Sequence, residues 1–299
     1  MLSLLISCSS NSNSEEELSI SELSKSELPD DSIVVLLPEE LHEYEAQIVS
    51  SRKDFIGIEL NKKRGVPQTT SKVGGYPYFP QNMEYPKAAN GDPLDFLAQI
   101  NFSEVPAFEN YPTSGLLQFF IARDDLYGLD FDDQFSQKNY RVIYHENTDA
   151  PTIKSFPELD AIRTNDEYYS PNMTNAEFEM SFYRDASYVP CYDKEFEKYM
   201  GLETWPFFEQ FGEKEDLIWE SYSEFIYSSG NKIGGYAFFT QEDPRIYHKD
   251  IEDWVLLFQL DSDYEDIMWG DSGVGGFFIS KEDLKNRDFS KVFYNWDCY

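Results

Sequence analysis

Lys232-Ile233-Gly234-Gly235-Tyr236-Ala237-Phe238-Phe239-Thr240-Gln241 is the second writing of a phrase that first occurs at Lys72-Val73-Gly74-Gly75-Tyr76-Pro77-Tyr78-Phe79-Pro80-Gln81. The copies begin at 72 and 232, 160 residues apart, and share Lys, Gly-Gly, Tyr, Phe and Gln. Phe96-Leu97-Ala98-Gln99-Ile100-Asn101 answers Leu256-Leu257-Phe258-Gln259-Leu260-Asp261 at the same spacing. Gly115 to Leu126 answers Gly273 to Leu284 with the spacing shortened to 158, so only a loop has changed length. Several motifs repeated in order are the mark of a duplicated structural unit. The units run from Lys72 to Asn147 and from Lys232 to Asp297, and a pseudo-two-fold relation between them is expected.

Within each unit the apolar runs are short, aromatic or β-branched, and bounded by Gly, Pro, Asn and Asp, which predicts strands. Phe96, Ala98 and Ile100 alternate with Leu97, Gln99 and Asn101, so one face turns to a core and the other presents amides. Four strands per unit, arranged as two antiparallel sheets packed through their aromatic faces, give an α+β class. Ser280 to Leu284 reads as a capping box opening a helical turn, and Arg123 to Leu126 should form the same turn. Each Gly-Gly precedes a strand, where positive φ or a close backbone approach is needed. An anion cradle is the weaker reading, because no helix follows whose N-terminus would hold the anion.

Residues 157–230 differ from the units and predict a helical insert covering one side of the sheets. Asp193 to Gly201 and Glu213 to Ser229 are its helices, the second placing Ile218, Tyr222, Phe225, Ile226 and Ser229 on one face before Gly230. Pro38 to Val49 predicts a further helix and Asp54 to Leu60 a strand. A single domain over 36–299 follows.

Ahead of it, Leu5-Ile6-Ser7-Cys8 has the look of a lipobox within a signal remnant over 1–8, although no Lys or Arg precedes the apolar stretch. Residues 9–35 are nearly all Ser, Glu, Asn and Asp, a composition that cannot bury enough surface to fold and reads as a disordered acidic tether. Together they predict lipid anchoring through Cys8 at the cell envelope, with a cytoplasmic location as the alternative. No segment has the ~20 consecutive apolar residues of a spanning helix, so any membrane contact runs through the N-terminal anchor.

Composition then decides partners. With 24 basic and 56 acidic residues the formal net charge is −32. Phosphate backbones are repelled, which excludes nucleic acid, and a basic protein or peptide is attracted.

The candidate ligand-binding residues are Gln99, Asn101, Gln259 and Asp261, lining a groove between the units, with Trp269, Asp271 and Ser272 from a loop the first unit lacks. Gly270-Asp271-Ser272-Gly273 matches the surroundings of a serine-protease nucleophile. However, His42, His145 and His248 are the only bases, and none sits in the setting such enzymes use. Asp261, Asp263 and Glu265 place oxygen ligands at alternate positions, but Ser272 stands where an EF-hand needs Glu, leaving only an irregular calcium site. No cofactor is otherwise expected. Cys191 and Cys298 are either a disulfide or two free thiols.

The segments Ser71 to Pro77, Phe96 to Asn101, Gly115 to Phe120, Leu257 to Asp263 and Met268 to Gly273 together resemble the YwqG-like family of bacterial proteins, a domain of unknown function. The resemblance covers about Leu36 to Tyr299 and implies a duplicated α+β domain without established catalysis. Some family members lie near secreted-toxin loci, which implies an immunity or protein-interaction role. The expectation is a non-enzymatic binding module for a basic partner. The rival is a hydrolase using Asp261, Asp263 or Asp271, with calcium. A third reading makes every repeated polar residue an internal hydrogen bond of the fold.

Overall fold

Short aromatic strands punctuated by glycine and proline assemble into one antiparallel sheet of ten strands. The computed structural model describes residues 37–165, 169–248 and 253–299. Cys8 and the tether over 9–35 lie outside the described residues. The elements run α1 (Glu45–Ser50), β1 (Lys53–Lys62), β2 (Lys72–Val73), β3 (Asp95–Asn101), β4 (Leu116–Ile121), β5 (Tyr140–His145), α2 (Pro157–Arg163) and β6 (Phe178–Ser187). They continue with α3 (Phe196–Met200), α4 (Thr204–Glu209), α5 (Glu215–Phe225), β7 (Lys232–Gly234), β8 (Trp254–Asp261), β9 (Val274–Ser280), α6 (Lys281–Asn286) and β10 (Phe293–Asp297). The class is α+β.

The sheet order is β10-β9-β8-β7-β1-β6-β2-β3-β4-β5. Two separate sheets were expected, and one is found, because β1 and β6 weld the two arms together. They pair along their whole length, from Lys53 opposite Ser187 to Lys62 opposite Phe178. β7 joins the free edge of β1 and β2 joins that of β6. β6 falls in the stretch expected to be helical. Its burial alternates only over Phe178 to Met180 and then carries Arg184 and Asp185, so the period-two signal fades.

Each arm of four strands is an antiparallel meander, β2 to β5 and β7 to β10. In both, the register slips by one residue between the second and third strands, between Phe96 and Ala98 and between Leu256 and Phe258. Such bulges bend a strand and increase its twist. The sheet curls until the arms share one core, where Phe119 of β4 lies 4.9 Å from Phe258 and 4.7 Å from Phe277. The edge strands β5 and β10 are brought together, and Tyr140 donates its hydroxyl to the Val292 carbonyl at 2.6 Å. Gln134 Nε2 donates to Asn295 Oδ1 at 2.8 Å across the same seam.

Helices cover the outer faces. α2 lays Leu159 and Ile162 on Phe79, Phe96 and Phe120. α3, α4 and α5 make a separate cluster of Phe196, Phe207, Phe208, Ile218 and Tyr222. α5 stops at Phe225, with Ile226 leaving the helix at φ −116°, so the helix expected to run to Ser229 is shorter and Gly230 (φ 85°) lies beyond it in the approach to β7 instead of capping it. Ser280 caps α6 by accepting the Asp283 amide, as the capping box requires. Arg123 to Leu126 forms no helix: Asp124 Oδ1 takes the Leu126 and Gly128 amides and closes a non-helical turn. Among the described residues no helix is long and apolar enough to cross a membrane.

Candidate functional site

The repeated glutamines are internal staples. Gln99 Oε1 accepts the Tyr78 amide at 3.1 Å, and its Nε2 donates to the Gln68 and Thr70 carbonyls. Gln259 repeats the pattern with the Phe238 amide at 2.8 Å and the Ser228 and Gly230 carbonyls. Each side chain thus ties together the chain entering and leaving its Gly-Gly strand. Both are fully buried. All four glycines take φ between 66° and 72°, and a Cβ on Gly74 would overlap the Ala176 carbonyl. That contact explains the motif without an anion.

The repeated lysines are buried too. Lys72 stands opposite Gln99 and Lys232 opposite Gln259. Lys72 Nζ donates to the Val66 carbonyl at 2.9 Å, and Lys232 Nζ to that of Ser228. Burial pulls the Lys72 pKa down, opposed by Glu177 at 3.6 Å.

Asn101 and Asp261 sit half-buried at matching strand ends. Asn101 Nδ2 donates to the Thr69 carbonyl, while Asp261 accepts the Gly230 and Ser262 amides. Burial pushes the Asp261 carboxyl up, those amides drawing it back. In the sheet β3 and β8 are separated by β2, β6, β1 and β7. Gln99 and Gln259 therefore do not line an open groove: they are on strands far apart in the sheet and closed off from solvent.

What the structure does gather is the loop joining β8 to β9, residues 262–273. Ser262 accepts the Trp269 amide and donates to the Gly273 carbonyl, bracing the loop across its base. Asp263 Oδ1 receives the amides of Glu265, Asp266 and Ile267, so this carboxylate organises the turn. Trp269 is fully buried, its ring 5.6 Å from Tyr127 and 6.4 Å from Trp296. Tyr264 and Ser272 both hold left-handed backbone, φ 63° and 58°. Non-glycine residues in that region cost on the order of 1 kcal/mol each and persist only where their surroundings impose them.

The segment 169–176 buttresses this loop. Met268 donates its amide to the Pro171 carbonyl, and Met173 donates to that of Asp266. Lys62 and Thr174 bind the Asp266 carboxylate and hold its pKa below the usual range. The outer surface is Tyr264, Glu265, Asp271 and Met173, all exposed.

Catalytic alternatives find little to use here. None of the histidines bonds Ser272: His42 Nε2 donates to the Leu37 carbonyl, His145 Nε2 to Gln118 Oε1, and His248 packs on Phe135, Trp254 and Phe293. Among the described residues, no group of three or more His, Cys, Asp or Glu converges as a metal set. Cys191 and Cys298 are free thiols.

Two buried ion clusters escaped sequence reasoning. Asp95 accepts Arg123 at 2.8 Å and Arg163 at 2.9 Å, locking α2 to β3 while Arg163 also reaches the Gly75 carbonyl. Arg245 lies between Asp193 and Asp243, each at 2.7 Å. The Asp95 cluster is composed of residues far apart in sequence, and although Asp243 and Arg245 are neighbours, their shared burial with the distant Asp193 leaves no signal among the many charges of a chain this acidic.

A family model described as "Domain of unknown function (DUF1963)" matches residues 71–298, both arms and the segment between them. No curated protein matches the chain.

Proposed function

Since the chain belongs to this DUF1963 family, we propose that it is a non-enzymatic binding module that recognises a basic protein or peptide through the braced β8–β9 loop. The carrying observation is the loop's construction: the buried Trp269 and the half-buried Ser262 hold it from beneath, leaving Tyr264, Glu265 and Asp271 on a preformed acidic and aromatic surface. Pre-organisation lowers the ordering cost of association, and a net charge of −32 steers a cationic partner toward it. The finer YwqG-like placement, with its immunity-like role, is part of this proposal. So is descent of the two arms from one duplicated segment, supported by the matched Lys–Gln pairs and bulges. A crystal structure with the bulges at unmatched strand positions would end that descent.

Immobilised full-length protein, exposed to cell lysate at low salt and eluted with rising salt, should release basic proteins in order of charge. Recovery that ignores salt counts against the reading. The rival hydrolase rests on the raised Asp261 carboxyl, and its test is calcium-dependent turnover lost in Asp261→Asn. Anchoring through Cys8 is likewise proposed; mass spectrometry showing an unmodified residue ahead of Cys8 in the mature protein ends it.

A further inference from the structure

The helical segment carries a second surface of distinctive chemistry. α4 and α5 pack through Phe207, Phe208, Ile218 and Tyr222, the Phe208 and Tyr222 rings 5.7 Å apart. What they leave outside is not purely polar. Trp205 of α4 is 65% exposed, and Leu202, two residues before α4, and Trp219 of α5 are exposed too. α4 and α5 meet at Cys191: Thr204, the residue before Trp205, donates its hydroxyl to the Cys191 carbonyl, and Ser223 and Trp219 flank the Cys191 thiol.

Around that seam acidic side chains dominate the exposed charges. Glu203, Glu209, Asp216, Glu220 and Glu224 all face solvent. The nearby Lys198 and Lys214 are exposed as well, but each is paired, with Glu195 and Glu40. Tryptophan is the residue most enriched at interface hot spots. The acidic rim then selects what can cover it. An anionic bilayer is repelled, and a second copy packed face to face would set the rim against itself.

We propose that the α4–α5 face docks a cationic amphipathic helix of a partner protein, its apolar stripe on Leu202, Trp205 and Trp219 and its Lys or Arg residues on the surrounding carboxylates. This rests on the basic-partner reading and names the partner's form and a surface different from the β8–β9 loop. Helix-in-groove recognition by an apolar stripe with flanking charge is a recurring mode.

The test uses full-length protein and a synthetic amphipathic helix of Leu and Lys, with a scrambled peptide of the same composition, followed by fluorescence anisotropy of the labelled peptide. The amphipathic peptide should bind, the scrambled one on the order of tenfold more weakly. Trp205→Ser, a change at an exposed side chain, should weaken binding by about tenfold or more, the level of a hot spot. Phe131→Ser, 70% exposed and in neither surface, should not. Raising salt from about 0.1 to about 1 M shortens screening from roughly 10 to roughly 3 Å and should weaken binding further. Equal binding by wild type and Trp205→Ser overturns the docking face and leaves the basic-partner reading standing. Equal binding of the two peptides overturns the helical form of the partner. Absence of binding by either peptide at low salt overturns both.

Discussion

The arms β2–β5 and β7–β10 use one frame and fill it differently. In both, a buried lysine stands opposite a stapling glutamine. On the next strand the first arm carries Leu117 and Gln118 where the second carries Gly275 and Gly276. Leu117 fills its own part of the core, and Gln118 extends the staple by bonding the Tyr78 carbonyl and His145. In the second arm a Cβ on Gly275 would overlap the Trp269 ring, which occupies that space from the β8–β9 loop. The interior of one arm is filled from its strand, that of the other from its loop. A loop whose largest side chain is core cannot drift, and that difference is how one of two similarly paired arms holds its loop in place.

The largest expected effect comes from erasing that difference. Gly275→Leu should cost at least about 3 kcal/mol, the upper range of overpacking, and Trp269→Ala about 3–5 kcal/mol through the cavity it leaves. Combined, they should cost less than their sum in denaturant unfolding, because each relieves the other. Strict additivity would break the comparison. Next come the shared staples: Gln99→Leu and Gln259→Leu each strand three buried or half-buried backbone groups and should cost about 3 kcal/mol. Gln99→Leu should cost about 1 kcal/mol more, since Gln118 also donates to it. Equal costs would show that this extension carries no energy.

A smaller effect belongs to His145, found in the first arm. Burial depresses its pKa from 6.5 to about 4. Between those values the unfolded chain binds a proton that the folded chain refuses, so this residue lowers stability as pH falls from about 6.5 toward 4. Thermal melts across that window should fall less steeply in His145→Gln; an unchanged slope would show that the ring titrates alike in both states. The least effect is expected at the exposed pair Arg287–Glu146, 3.1 Å apart across the two arms. Arg287→Ala should change unfolding by under about 1 kcal/mol, and a larger loss would mean that charge holds the arms together.

Periodicity and repetition carried much of this architecture. The alternation at Phe96 to Asn101 and Leu256 to Asp261 marked β3 and β8, and Ser280 announced α6 through its cap. β6 was hidden because a central strand whose outer half faces solvent loses its alternation. Its absence from the expectation turned one sheet into two. The glutamines were legible as special but not as buried: alternation tells which residues share a face, and here both faces of β3 are covered, one by the common core and one by chain folded back over it. Trp269 was legible as an asymmetry. Its destination was not, because only Gly275 reveals the space its ring enters.

The meeting of β5 with β10 has a consequence for how this molecule keeps to itself. An exposed strand edge is a template for another chain, and the outermost amides here are occupied at home: Val142 donates to Gln137 Oε1 and Tyr294 to the Gln134 carbonyl. Because that closure is made by side chains and one loop instead of a continuous ladder, it is the zipper with the fewest teeth. Amide exchange should find it opening ahead of the β1–β6 spine, and a chain caught with it undone would offer two sticky borders at once.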